Sequence, residues 1–194
     1  MDFSHSTAGM RMRKTFKVLN RYMILMWRLG LGSWLKNKET WGQVLVIVHK
    51  GRKTGLKRYA PVNYAQVNGE LYCAAAYGTR ADWYRNLMAN PEMEIWHPEG
   101  RWEGVAEDVS GSEDRVALMR EVLIGSGFAA RVFGLNPHAL SDEELAKITQ
   151  PYRLLHLRRG NALTGPGGPG DLAWIWPLTT VGLLWILLRR RRRR

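Results

Sequence analysis

Short apolar runs separated by turn residues dominate the middle of the chain and predict an antiparallel sheet. The β-branched run at 43–50 predicts a buried strand. Residues 58–67 predict a second strand, in which Pro61 requires a sheet edge or a bulge because proline has no N–H to donate. An Asn-Gly pair then favours a two-residue hairpin turn, since both of its positions need positive φ. Residues 70–77 return as a third strand.

The next stretch, "ADWYRNLMANP", has apolar residues at helical spacing and predicts a helix. We expect Asp82 to cap its start and Pro91 to stop it. The runs "EMEIW" and "RWEGVAEDV" follow, joined by "HPEG", and predict a second antiparallel hairpin.

Two more helices are predicted, at 113–123 with acids in its first turn and from Ser141 with a capping box. "YRLLHLRR" predicts a last strand. Strands joined by short turns, without a βαβ alternation, predict a mainly antiparallel β-barrel of about six strands with flanking helices. A doubly wound parallel fold is disfavoured for the same reason.

The ends of the chain differ in character from this predicted domain at 41–160. Residues 1–40 predict a basic helical segment packed on the domain, with a groove-closing or membrane-surface role as the alternative. Residues 161–171 predict a Gly/Pro linker. Residues 172–194 join an uncharged run of 17 residues, about 25 Å as a helix, to six arginines. We expect this tail to associate with a membrane, or else to dock as a helix on the domain or another subunit.

Charge is unevenly distributed within the net +12, because residues 1–60 carry 13 Lys/Arg against two acids. This asymmetry indicates an anionic partner near the front of the chain. A single cysteine, Cys73, excludes an intrachain disulfide and is expected in the core, which fits a reducing, cytoplasmic location. No secretory signal is predicted. The sequence has no GxSxG, HExxH or CxxC motif, and its five histidines lack metal-ligand spacing, so we expect no metal site.

The basic turn "HKGRKTGLKRY" after the first strand is the best candidate for an anion site. Backbone N–H groups of a Gly-containing turn can surround an anion. Arg52 adds a planar fork, Lys53 a point charge and Thr54 a hydroxyl, with Arg58 on the outgoing strand. Taken alone, the run is more typical of a solvated loop.

The order and spacing of "GRKTG", "KRYAPV", "CAAAYG" and "DWYRNLMANPEMEIW" resemble the deazaflavin-dependent nitroreductase family over about residues 43–109. The resemblance implies a split β-barrel that binds the 8-hydroxy-5-deazaflavin coenzyme F-420. It implies that Arg52, Lys53, Thr54 and Arg58 hold the coenzyme phosphate. It also implies a set of residues that line the deazaflavin ring of the coenzyme and its side chain: Pro61, Val62, Asn63, Ala74, Ala75, Ala76, Tyr77, Asp82, Trp83, Tyr84, Arg85 and Asn86.

Further roles follow from the same resemblance. Tyr77 and Tyr84 are the candidates to donate a proton or position the acceptor. The family often has a small hydroxyl residue and a lysine where this chain has Ala76 and Tyr77, a loss for which Arg80 can compensate. Attraction for the coenzyme's oligoglutamate is expected from Lys14, Lys17, Lys36 and Lys38, and an aromatic over the acceptor pocket from Phe128 or Phe133.

The implied reaction is hydride transfer from the reduced deazaflavin to a small electron-poor acceptor: a quinone, an activated alkene or a nitro compound. A protein nucleophile is not needed, because the coenzyme carries the chemistry. The alternatives are a split-barrel protein that binds FMN or a tetrapyrrole, and a non-enzymatic membrane-surface module. Nucleic-acid binding is disfavoured, because aromatic residues are not interleaved with the basic ones. The sequence leaves the oligomeric state open.

Overall fold

The computed structural model describes residues 7–32, 42–127, 136–165 and 169–191. Its strands are β1 (Val44–Lys50), β2 (Lys57–Val67), β3 (Glu70–Ala75), β4 (Glu92–His97), β5 (Gly100–Asp108) and β6 (Arg153–Thr164). Its helices are α1 (Thr7–Arg28), α2 (Asp82–Ala89), α3 (Arg115–Gly125), α4 (Asp142–Thr149) and α5 (Ile175–Arg191), and a single 3₁₀ turn (Gly78–Arg80) precedes α2.

The six strands form a closed antiparallel barrel in the order β1-β2-β3-β6-β5-β4. Pairing of β1 with β4 closes it, with Ile47 opposite Ile95. The predicted fold class, an antiparallel barrel of six strands with flanking helices, is confirmed. The Asn-Gly hairpin between β2 and β3 is also confirmed, with φ of 52° at Asn68 and 86° at Gly69.

Strand β1 is buried on both faces, which explains its uninterrupted apolar sequence. Leu45 and Ile47 point into the barrel core, where Cys73 is also buried as predicted. Val46 and Val48 face outward and pack with Trp27 of α1, which is fully buried. The α1 helix therefore covers the outer face of β1 by burying an aromatic side chain, and this stabilises the barrel through the hydrophobic effect.

Helices α3 and α4 cover another outer face of the barrel, packing Met119 and Leu145 against Ala65 and Leu154. The capping box predicted at Ser141 is present and starts α4. Two other expectations about helix starts were wrong. The acidic residues expected in the first turn of α3 lie before the helix begins. Asp82 is the first residue of α2 rather than its cap, because Ala81 takes the extended cap conformation.

Strands β2 and β3 pair only along part of their lengths, from Tyr64 opposite Cys73 to Val67 opposite Glu70. Residues 57–63 of β2 pair with β1 alone. Pro61 lies in this part, so the predicted edge position is confirmed, since the missing N–H removes no β2–β3 bond. The barrel wall is therefore split where the second half of β3 separates from the first half of β2.

The C-terminal part of the chain differs from its prediction in one respect. Strand β6 continues to Thr164, four residues into the predicted linker, because Ala162 and Thr164 pair with Trp102 and Arg101 of β5. The predicted apolar segment forms α5, with Pro177 in its first turn, where proline is tolerated. Within the described ranges, no helix is both long and apolar enough to cross a membrane.

Candidate active site

The basic turn between β1 and β2 is closed by its own backbone. Gly51 N donates to Leu56 O at 2.9 Å, and Gly55 N donates to Gly51 O at 2.7 Å. A Cβ built on Gly51 would lie 3.0 Å from Thr54 Oγ1 and 3.6 Å from Arg58 Nε. The Thr54 hydroxyl and the Arg58 guanidinium therefore both lie beside Gly51, where a side chain would be crowded. Two of the four predicted phosphate ligands are brought together here.

Arg52 binds α2 instead of pointing freely into solvent. Its backbone N and its Nη1 donate to Asn86 Oδ1 at 3.1 and 2.9 Å, and its Nη2 lies 3.1 Å from Asp82 Oδ1. Asn86 is 7% exposed, so its side chain is available mainly to this partner. Arg52 thus fixes the basic turn to the start of α2, while the side chains of Lys53 and Arg58 remain exposed beside it.

The predicted ring-lining residues of β2 and β3 lie on both sides of the split in the barrel wall, but they do not share one face. Val62 and Ala75 point into the barrel core, and Ala74 packs toward α3 and α4. Asn63 is half-buried and donates to Gln43 O at 3.4 Å. The half-buried Pro61 and the exposed Ala76 and Tyr77 complete the set.

The predicted residues of α2 also have separate roles. Asp82 and Asn86 bind Arg52, as above. Trp83 is partly buried against the barrel core, and Arg85 Nε donates to Thr79 O at 2.5 Å. Tyr84 is 7% exposed and belongs to the core. Of the two tyrosines proposed as proton donors, only Tyr77 is exposed, at 68%.

A polar cluster that the sequence did not reveal lies beneath α2. Tyr84 Oη donates to Asp108 Oδ2 at 2.5 Å, and Ser110 N donates to Asp108 Oδ1 at 2.9 Å. Burial raises the pKa of Asp108, but hydrogen bonds from Ser110 and Tyr84 and the charge of Arg153 outweigh it, so this pKa is lowered. Burial and the bond to Asp108 raise the pKa of Tyr84 to about 12. No local motif joins these residues, which come from α2, β5 and β6.

We expect Tyr84→Phe to lower the free energy of unfolding by about 1.5 kcal/mol at pH 7, because a hydrogen bond to a charged acceptor is lost. The loss should shrink as the pH falls from about 4, the ordinary pKa of an aspartate, through the lowered pKa of Asp108 in the folded protein. At high pH, the wild-type contribution should disappear between about pH 10 and the Tyr84 pKa of about 12. Urea denaturation across this range measures both limits. A difference between the two proteins that is independent of pH would contradict the assignment.

His49 lies at the base of the basic turn, opposite Arg58 in the β1–β2 register. It is 4% exposed, and burial lowers its pKa, with Arg58 adding to this effect and a contact to Lys50 O opposing it. The imidazole is therefore neutral at pH 7, and the positive charge of the turn comes from its lysines and arginines. This agrees with the structural role predicted for the histidines.

Two cavities lie outside the residues predicted for the coenzyme. The first, about 270 Å³, is bounded by Arg28, Val48, Lys57, Tyr59, Glu94, Trp96, Arg101, Pro169 and Asp171. The second, about 280 Å³, lies between β2 and α3. Neither is lined by a residue predicted for the coenzyme. Six predicted residues cannot be placed: the side chains of Lys14 and Lys17, residues 36 and 38, and Phe128 and Phe133 all lie outside the described residues.

Solved structures with a similar chain path are distant. A conserved hypothetical protein from Mycobacterium tuberculosis is 15% identical, with a TM-score of 0.49 over 64% of this chain and 78% of that one. The heme storage protein HutZ from Vibrio cholerae is 16% identical, with a TM-score of 0.44 over 66% and 89%. An F420-H2 dependent reductase, FDR-A, is 20% identical, with a TM-score of 0.39 over 60% and 94%. At these scores the similarities support no inference about function. None of the curated proteins compared with the chain matches it.

A family model matches residues 31–131, which is more than half of the chain. The matched part contains the basic turn, the split between β2 and β3, and α2 with its bonds to Arg52. Its description is F420H(2)-dependent quinone reductase, which confirms the predicted relation to deazaflavin-dependent oxidoreductases and their coenzyme. The chain belongs to the F420H(2)-dependent quinone reductase family.

Proposed function

We propose that this protein transfers a hydride from reduced coenzyme F-420 to an electron-poor acceptor, with a quinone as the first candidate. The observation that carries the proposal is the convergence of Thr54 and Arg58 over Gly51 in a turn that Arg52 fixes to α2. A hydroxyl donor and guanidinium groups suit a phosphodiester, because hydrogen bonds to a charged acceptor are the stronger ones. When bound, the coenzyme supplies the hydride, and the protein supplies binding and orientation.

In this proposal the residues of the turn have distinct tasks. Lys53, Thr54 and Arg58 bind the phosphate, and Gly51 allows Thr54 and Arg58 to approach each other across the turn. Arg52 holds the turn against α2 through Asp82 and Asn86, so the phosphate site and the start of α2 keep a fixed separation. Such preorganisation lowers the entropy cost of holding two reactants in line.

The split between β2 and β3 is the proposed position of the deazaflavin ring. Pro61 and Asn63 approach it from β2, and Ala76 and Tyr77 from the end of β3. The small side chain of Ala76 allows a flat ring close to the backbone. Tyr77, exposed at 68%, is the residue we propose for positioning or protonating the acceptor, because the hydroxyl of Tyr84 is bound to Asp108.

Quinones are favoured over activated alkenes and nitro compounds because of the family to which the chain belongs. A lipid quinone is the acceptor that a membrane location would supply. The alternative coenzyme is FMN, whose phosphate also suits Arg58 and Lys53. A tetrapyrrole with its carboxylates is a further alternative.

The direct test is a titration of the purified protein with oxidised and reduced F-420, FMN and heme, followed by absorbance and fluorescence. We expect F-420 to bind at tens of micromolar or better, and the reduced form to be oxidised when menadione is added. Binding of FMN or heme, with none of F-420 in this range, would overturn the proposal. Tyr77→Phe provides the matched test of the acceptor role, because it is expected to lower kcat and leave the dissociation constant of F-420 unchanged.

A further inference from the structure

Helix α5 contributes no side chain to the three hydrophobic clusters of the described residues. From Trp176 to Leu188, every large apolar side chain is between 45 and 64% exposed. These side chains are distributed all around the helix, so no orientation on the barrel would bury more than part of them. A contiguous apolar surface of this kind marks an interaction site.

The base of α5 is attached to the end of α1. Arg28 Nη2 lies 2.7 Å from Asp171 Oδ2, and Leu172 N donates to Arg28 O at 2.9 Å. Trp176 Nε1 donates to Leu29 O at 3.0 Å. These bonds therefore fix the start of α5 to the end of α1.

The second half of α1 also exposes apolar side chains. Val18, Tyr22 and Leu25 recur at helical spacing and are 67, 56 and 45% exposed. Exposed Arg21 lies among them, and the half-buried Arg28 follows. The two helices thus present apolar side chains together with arginines at the point where they meet.

Charge separates the possible occupants of this surface. Six arginines run from Arg189 to Arg194, and the Arg189 guanidinium stacks over Trp185 at 4.6 Å. A parallel pair of α5 helices from two copies of the chain would bring these like charges together, which is unfavourable. An antiparallel pair would leave the arginines without an anionic partner. Nucleic acid would neutralise the arginines but would leave the leucines exposed. An anionic lipid surface would satisfy both the arginines and the apolar side chains. Its headgroup phosphates would pair with the arginines, and its acyl chains would cover the apolar side chains.

Tryptophan residues near both ends of α5 indicate how the helix lies at a membrane. Trp174 and Trp176 lie at the start of α5 and Trp185 near its end, and tryptophan prefers the membrane–water interface. We infer that α5 lies in the interfacial layer of an anionic membrane, with its arginines among the lipid phosphates and the end of α1 beside it. This would place the barrel at the lipid surface through the Arg28–Asp171 attachment.

The test is co-sedimentation of the full chain with vesicles of phosphatidylcholine, with and without phosphatidylglycerol, in the absence of coenzyme. We expect binding to the anionic vesicles that falls at least about tenfold between about 0.1 and 1 M salt, because the Debye length falls from about 10 to 3 Å. Leu184→Glu with Leu188→Glu should lower the partition coefficient at least about tenfold. The control, Val105→Glu with Ile148→Glu, changes the net charge equally at exposed positions of β5 and α4 and should bind like wild type.

A second variant tests the charge. Replacing the six arginines by glutamine should lower binding to anionic vesicles by at least about tenfold and leave the far-ultraviolet circular dichroism unchanged. Equal binding to both vesicle types, or equal binding of the α5 variant and its control, would overturn the inference. So would lack of vesicle binding together with an α5-dependent dimer or duplex DNA complex in sedimentation velocity. Because coenzyme is absent, these outcomes do not depend on the hydride-transfer proposal.

Discussion

Arg52→Ala combined with Lys53→Ala should weaken coenzyme F-420 binding by at least about 3 kcal/mol, or about 150-fold in the dissociation constant. Each side chain is proposed to contribute to phosphate binding, Lys53 by contact and Arg52 by fixing the turn to α2. Charge-assisted contacts are worth about 1.5 to 3 kcal/mol each. Fluorescence titration of the deazaflavin measures the change directly. An unaltered dissociation constant would mean that the turn is only a solvated loop.

The same hairpin offers a matched control. Lys50→Ala with Lys57→Ala removes two positive charges from the ends of β1 and β2, outside the proposed phosphate site. We expect a change of less than about 0.5 kcal/mol, the usual limit for surface substitutions. Asp82→Ala tests the role of Arg52 separately, because it removes a partner on α2 and keeps the guanidinium. If Arg52 acts by fixing the turn, Asp82→Ala should also weaken binding.

Gly78→Ala should lower the free energy of unfolding by about 3 kcal/mol or more. Gly78 has a φ of 53°, and a Cβ at this position would lie 2.2 Å from Pro151 O. The positive φ alone costs an L-residue about 1 to 2 kcal/mol. The contact with a backbone carbonyl adds to this, because neither the end of β3 nor the segment before β6 can move without breaking pairs. Urea denaturation measures the loss.

Two other glycines separate these contributions. Gly69 has a φ of 86° but nothing within 4 Å of a built Cβ, so Gly69→Ala should show the conformational cost alone, about 1 to 2 kcal/mol. Gly111 has open space without positive φ, so Gly111→Ala should change stability by less than about 0.5 kcal/mol. Equal losses for Gly78→Ala and Gly69→Ala would mean that Pro151 yields to the new methyl group.

The strands were predictable from sequence because their signals are local. The short apolar runs, the Asn-Gly pair and the proline at position 61 each report on a few neighbouring residues, and all three predictions were confirmed. The end of β6 was not predicted, because its signal is not local. Residues 160–164 have no strand pattern of their own, and they are extended because β5 pairs with them.

The candidate site was predictable only in part. The order of motifs located the basic turn, but the bonds of Arg52 to Asp82 and Asn86 span 30 and 34 residues and depend on how α2 sits at the barrel. The hydrogen bond of Tyr84 to Asp108 also depends on the position of α2. The uncharged run of residues did indicate the apolar nature of α5, but not that its side chains would remain exposed.

The position of β6 between β3 and β5 has a consequence for synthesis of the chain. β6 begins at Arg153, some 80 residues after the β3 strand with which it pairs. Until it leaves the ribosome, the other five strands can form only an open sheet in the order β3-β2-β1-β4-β5, with two unpaired edges. Such edges recruit other extended chains. The nascent protein should therefore be most prone to aggregation, and most dependent on chaperones, just before its last strand emerges.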